Sequence, residues 1–139
     1  MTLAPLLAAP VAVKIHVATV VPAFLLGTWL IFFSTKGAPW HRATGYAYLT
    51  LMTVTAIAAI FISQISALDI VHVFGLGFGP IHLFVPLTLF GVVGALRGAW
   101  THNIALHRKA MMGVYIGGLL IAGSLAFLPG RIMHRIVFG

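Results

Sequence analysis

From residue 17 to 33 no charged side chain interrupts the chain, and the same holds from 43 to 65. A run of ~20 apolar residues, rising 1.5 Å each as a helix, is what crossing the hydrocarbon core of a bilayer requires. Hydrocarbon also demands that every backbone N–H and C=O be satisfied within the run, and a helix does this. Composition agrees, with 61% hydrophobic residues, 6% charged residues and a mean hydropathy of +1.12. An ordinary soluble domain carries about 25% charged residues. A chain of 139 residues cannot bury so much apolar surface in one aqueous core. The sequence reads as an all-α integral membrane protein.

Four such runs predict helices over about 11–33, 43–65, 80–96 and 107–128, in a single transmembrane domain covering 1–139. Residues 1–13 read as a lead-in to the first helix, because they lack the basic start of a signal peptide. Pro22 is expected to kink the first helix, and Pro86 stands inside the third, whose first turn opens on Pro80. Thr50, Thr53 and Thr55 are expected to bond back to their own helix. Residues 70–79 are apolar and carry Gly75, Gly77, Gly79 and His72. They read as an interfacial or re-entrant segment, or as an early extension of the third helix. Their glycine spacing lacks the context of a dinucleotide loop.

The polar residues exclude most chemistries. With no cysteine there is no disulfide, iron–sulfur cluster or thiolate metal site. Asp69 is the only acidic residue, so paired-carboxylate hydrolysis and Ca²⁺ or Mg²⁺ cages are excluded. No enzymatic activity is assigned. The net charge of +7 sits at the ends of apolar runs, where it reads as a topology signal and an anchor to anionic lipid, not as a nucleic-acid footprint. Lys36, Arg42, Arg97, Arg108 and Lys109 outnumber Lys14, Arg131 and Arg135. By the positive-inside rule the first group faces the cytoplasm of a bacterial inner membrane, and both termini face the periplasm.

The histidines recur. His82 stands 66 positions after His16, and His107-Arg108 stands 66 after His41-Arg42. A tyrosine follows each His-Arg pair, Tyr48 and Tyr115. The pattern is that of two tandem helix hairpins forming an up-down four-helix bundle, in which helices one and three, and two and four, are diagonal. Each membrane face then presents a histidine pair across the bundle, His16 with His82 and His41 with His107. Two neutral imidazoles are the axial set of a six-coordinate haem b. Gly113, Gly117, Gly118 and Gly123 leave room for a porphyrin, and Arg42 and Arg108 are placed to pair with propionates.

A plainer account stands beside this one. His-Arg at a helix start serves as an interfacial anchor, a histidine inside a span bonds a neighbouring helix, and glycines allow close packing. His72, His102 and His134 have no repeat partner and read as surface residues. Tyr46, Tyr48 and Tyr115 read as belt or packing residues. Three functions follow: a b-type cytochrome-like electron carrier fed by a quinone, an accessory subunit of a larger membrane complex, or a transition-metal site at His16, His82, His41 and His107.

The run Lys36-Gly37, His41-Arg42, Gly45 and Tyr48, then Pro80-Ile81-His82-Leu83, His107-Arg108-Lys109, Met112, Tyr115 and Pro129-Gly130-Arg131, resembles a family of small bacterial predicted membrane proteins of unknown function. That resemblance covers about 13–131 and implies four membrane helices with recurring histidines. The architecture is more loosely similar to di-haem transmembrane cytochromes of the b561 and ferric-reductase type, through helix count and histidine placement.

Overall fold

The computed structural model describes residues 3–62, 71–73, 76–78 and 80–139. After a short α1 (Ala4–Leu7), two 22-residue helices follow, α2 (Val11–Phe32) and α3 (Pro39–Ile60). A small antiparallel hairpin, β1 (Val71–Val73) with β2 (Leu76–Phe78), precedes a 3₁₀ turn over Pro80–Leu83 and α4 (Phe84–Trp100). The last long helix begins as α5 (Ile104–Gly113), widens into a π-helix over Val114–Ile121 and closes as α6 (Ala122–Leu125). A terminal α7 (Ile132–Phe138) packs against α1. The helices Val11–Phe32, Pro39–Ile60 and Ile104–Leu125 are each long and apolar enough to cross a membrane, and Phe84–Trp100 is a shorter apolar helix.

Several boundaries differ from expectation. The second helix starts at Pro39 rather than 43 and ends at Ile60 rather than 65. Proline suits the first turn, where its missing N–H is not needed, so His41 and Arg42 lie inside the helix and not in the preceding turn. The third helix begins at Phe84 and runs to Trp100, beyond the expected 96. Pro86 therefore falls in its first turn and breaks no helical bond. Residues 97–107 were expected as a loop, but only Thr101–Asn103 lie between α4 and α5. This turn is tight because His102 adopts φ 56° and the Asn103 side chain accepts from the Leu106 N–H at 3.0 Å. The glycine-rich stretch is a hairpin where described, not a helical extension. Asp69, Gly75 and Gly79 lie outside the described residues, as does 63–65 of the expected second helix.

Helix α2 packs along α3, α3 on α4, and α4 on α5 and the π-helix, which also meets α2. One buried cluster draws on all four: Ala23 and Leu30, Tyr48 and Met52, Val92 and Ala95, Met111, Val114 and Tyr115. Close approach is set by missing side chains. A Cβ on Gly98 would stand 2.5 Å from the backbone nitrogen of His107, and one on Gly27 would lie 2.8 Å from the Tyr48 ring and 2.9 Å from that of Tyr115. Phe24 stacks on Tyr115 with ring centroids 6.3 Å apart. The outward faces are rich in exposed Leu, Val, Phe and Trp, as lipid-facing surfaces are.

Candidate functional site

His16 lies on the second turn of α2. A carbonyl oxygen can only accept, so the 2.9 Å contact between His16 Nδ1 and the Thr55 carbonyl puts the ring proton on Nδ1. In the neutral ring, Nε2 then keeps its lone pair. The Thr55 hydroxyl pairs with Thr19 Oγ1 at 2.7 Å, and Thr19 also donates to the Ile15 carbonyl at 2.9 Å. Thr50 and Thr53 bond back to Tyr46 and Leu49 as expected, but Thr55 reaches across to the neighbouring helix. Two hydrogen bonds among three residues thus tie α2 to α3 at one level.

That level opens onto a cavity of about 590 Å³. His16 and His82 both line it, with Thr55 and Thr88. Most of the wall is apolar and includes Phe24, Met52 and Leu119. The volume lies within the ~300–1,000 Å³ range of small-molecule sites. His82 comes from the 3₁₀ turn ahead of α4, and its Nε2 lies 3.2 Å from the Ile62 carbonyl. Gly118 borders the cavity, and there a Cβ would meet Thr88 Oγ1 at 2.8 Å and the Met52 methyl at 3.0 Å. The π-helix carrying Gly118 is itself a feature enriched at functional sites. Arg131 and Ser124, which sequence reasoning did not connect with His16, line the same space.

The second histidine pair lies elsewhere. Thr55, opposite His16, is fourteen residues along α3 from His41, and at 1.5 Å per residue that is about 21 Å. His41 Nδ1 contacts Ser34 Oγ at 2.9 Å, and His107 Nδ1 donates to the Ala95 carbonyl at 2.8 Å. His41 is within electrostatic reach of Lys36 and His107. Neither His41 nor His107 lines the cavity, and Arg42 and Arg108 are exposed at their end of the helices. Among the described residues no three of His, Cys, Asp or Glu gather closely enough to hold a metal ion. The sequence pairs His16 with His82, and the cavity brings both together. His102 and His134 stand apart from it, and nothing is described of the His72 side chain.

A family of predicted membrane proteins, DUF2306, matches residues 13–137 of this chain. The chain belongs to that family. Its match spans α2 through α7 and takes in His16, His41, His82 and His107. No curated protein and no solved structure matches the chain. Membership in the family and the apolar helices together make this a membrane protein in contact with the lipid bilayer.

Proposed function

We propose that this protein is a b-type cytochrome-like electron carrier: an up-down four-helix bundle of two hairpins, with His16 and His82 as ligands of one haem. The observation that carries the reading is that these two histidines, from elements distant in sequence, line one largely apolar cavity of about 590 Å³. The His16 imidazole also has the support typical of an iron ligand, its Nδ1–H held by the Thr55 carbonyl and its Nε2 left with a lone pair. For His82 to offer Nε2 as well, its 3.2 Å contact with the Ile62 carbonyl would have to turn away. Two imidazoles suffice for a porphyrin iron, whereas a bare zinc or copper ion asks for three or four ligands. The absence of a three-ligand cluster among the described residues therefore favours haem over the transition-metal alternative.

Haem, when bound, supplies one-electron chemistry at a potential set by its ligands and surroundings. The chain's own part is to orient His16 through Thr55, to exclude water with Phe24, Met52 and Leu119, and to keep the π-helix wall open at Gly118. The His41–His107 end is the matching position on the opposite membrane face. Electrons would pass from a quinol in the bilayer to a metal or protein acceptor. The basic turns face the cytoplasm of a bacterial inner membrane in this reading, and both termini face the periplasm. The likeness to di-haem b561 and ferric-reductase cytochromes rests on this placement alone.

A second reading is favoured by one specific observation. Each of the four histidines already has a hydrogen-bond partner within the chain, as helix-packing histidines of an accessory subunit would. An absorption spectrum of protein purified from haem-replete cells, oxidised and reduced, separates the two. The cytochrome reading expects a Soret band that shifts on reduction. It also expects His16→Gln, which retains a donor for Thr55, to fold but lose that band. A colourless wild-type protein that co-purifies with a membrane partner overturns it in favour of the accessory subunit.

A further inference from the structure

The turn face of the molecule carries a charge excess that the cavity does not use. Lys36 sits between α2 and α3, Arg42 on the first turn of α3, Arg97 on the last turn of α4, and Arg108 and Lys109 on the second turn of α5. All five are exposed. Tight packing brings these elements to one place. Gly98 lets the end of α4 approach the His107 backbone, and the Trp100 indole N–H donates to the Tyr46 hydroxyl at 3.0 Å, joining α4 to α3. His41, on the first turn of α3, and His107, on the first turn of α5, come within electrostatic reach of each other.

Among the described residues no carboxylate side chain answers this charge. The chain has one acidic residue, Asp69, so there is no Asp or Glu among the described residues. Lys36 turns its ammonium group back to the carbonyls of Leu30 and Ile31 at the end of α2, where the helix dipole is negative. The side chains of Arg42, Arg97, Arg108 and Lys109 have no such acceptor among the described residues. Five like charges on one rim repel one another unless counter-charge arrives from outside.

The second observation is depth. Trp40, Tyr46 and Trp100 are exposed on the same rim, the position of an aromatic belt at the headgroup level of a bilayer. Arg42 stands two residues from Trp40 and Arg97 three from Trp100, and Arg108 and Lys109 follow directly on His107, whose backbone packs against Gly98 of the same α4 end; this sets the four side chains near the level of lipid phosphates. We infer that the turn face, built from Arg42, Arg97, Arg108 and Lys109, is a binding surface for the phosphate headgroups of anionic phospholipids. The occupant is lipid rather than a soluble anion, because the belt holds these side chains at the membrane surface. The recognition is by charge, and each Lys or Arg near an anionic membrane surface contributes about 1 kcal/mol, roughly a fivefold change in binding. The inference does not depend on a cofactor in the cavity.

The test uses the full-length protein in mild detergent, offered phosphatidylglycerol and phosphatidylcholine in equal amounts, with retained lipid counted by native mass spectrometry. The expected result is preferential retention of phosphatidylglycerol, weakened by raised salt and reduced roughly fivefold by Arg108→Gln and further by Arg108→Gln with Lys109→Gln. Arg135→Gln, at the opposite end on α7, is expected to leave the preference unchanged. Equal retention of the two lipids overturns the proposal, and so does a preference that the turn-face substitutions leave intact. Excess inorganic phosphate that abolishes retention at constant ionic strength also overturns it, since the surface would then be a soluble-anion site.

Discussion

Tyr48 is the largest side chain removed completely from the surface, at 0% exposure, and its hydroxyl has no hydrogen-bond partner among the described residues. Its neighbour Tyr115 differs, since its hydroxyl pairs with Thr28 at 2.9 Å. An unpaired buried hydroxyl costs about 1–3 kcal/mol. Tyr48→Phe keeps the ring that fills the space beside Gly27 and removes only that burden. It is expected to raise the thermal unfolding midpoint in detergent, or leave it unchanged, whereas Tyr115→Phe is expected to lower it. Gly27→Ala would press a methyl against both rings, and overpacking of this kind costs about 1–3 kcal/mol, readable as a lower midpoint in the same measurement. The sequence reading of Tyr48 as a belt or packing residue holds only in its second half. The position itself carried the signal, because seven residues of helix beyond His41 put Tyr48 about 10 Å deeper than the rim. Thr55 was not legible in this way. Its link to Thr19 and the use of its carbonyl by His16 depend on how α2 and α3 are set against each other, which no local propensity records.

At the scale of elements, apolar run length found the long helices, while their ends moved by up to five residues, the end of α3 lying at 60 and not 65. The shifts have local causes. Proline at position 39 opens a helix as readily as it closes one, so about half of the stretch before the expected start at 43 is already helix. Asn103 caps α5 and so starts it three residues before His107. This cap is one of the few ordinary polar devices in the fold. Asn103→Ala is expected to cost about 1 kcal/mol, seen as faster hydrogen exchange in the first turn of α5 and a lower unfolding midpoint, and Asn103→Asp is expected to restore most of it. The π-helix over Val114–Ile121 had no sequence signal beyond its glycines. Within it, Gly118 lies so close to Thr88 and Met52 that a Cβ would meet them at 2.8 and 3.0 Å, a contact between elements and not a property of the segment. Gly118→Ala is therefore expected to disturb the cavity wall, so that any bound chromophore is lost at lower temperature than in the wild type.

For the whole molecule, the question is whether α4 crosses the bilayer as its longer neighbours do. Its 17 residues span about 26 Å as an α-helix, and the four residues of the preceding 3₁₀ turn, at about 2.0 Å each, bring the continuous element to roughly 34 Å. A hydrocarbon core of about 30 Å is within that reach. Four crossings put the α2–α3 and α4–α5 turns on one face and both termini on the other, and this is the arrangement in which the two His-Arg pairs share a rim. The lack of any cysteine makes the arrangement directly measurable. Single cysteines at Thr35 and Thr101, in the two turns, should show the same accessibility to a membrane-impermeant maleimide on intact cells. Cysteines at Leu7 and Phe138, both exposed near the termini, should show the opposite. If the basic turns face the cytoplasm, the terminal positions react and the turn positions stay protected until the membrane is permeabilised. If Thr35 and Thr101 instead label from opposite sides, α4 does not span the membrane. His41 and His107 would then belong to different compartments, and the matched histidine pairs could not serve one electron path.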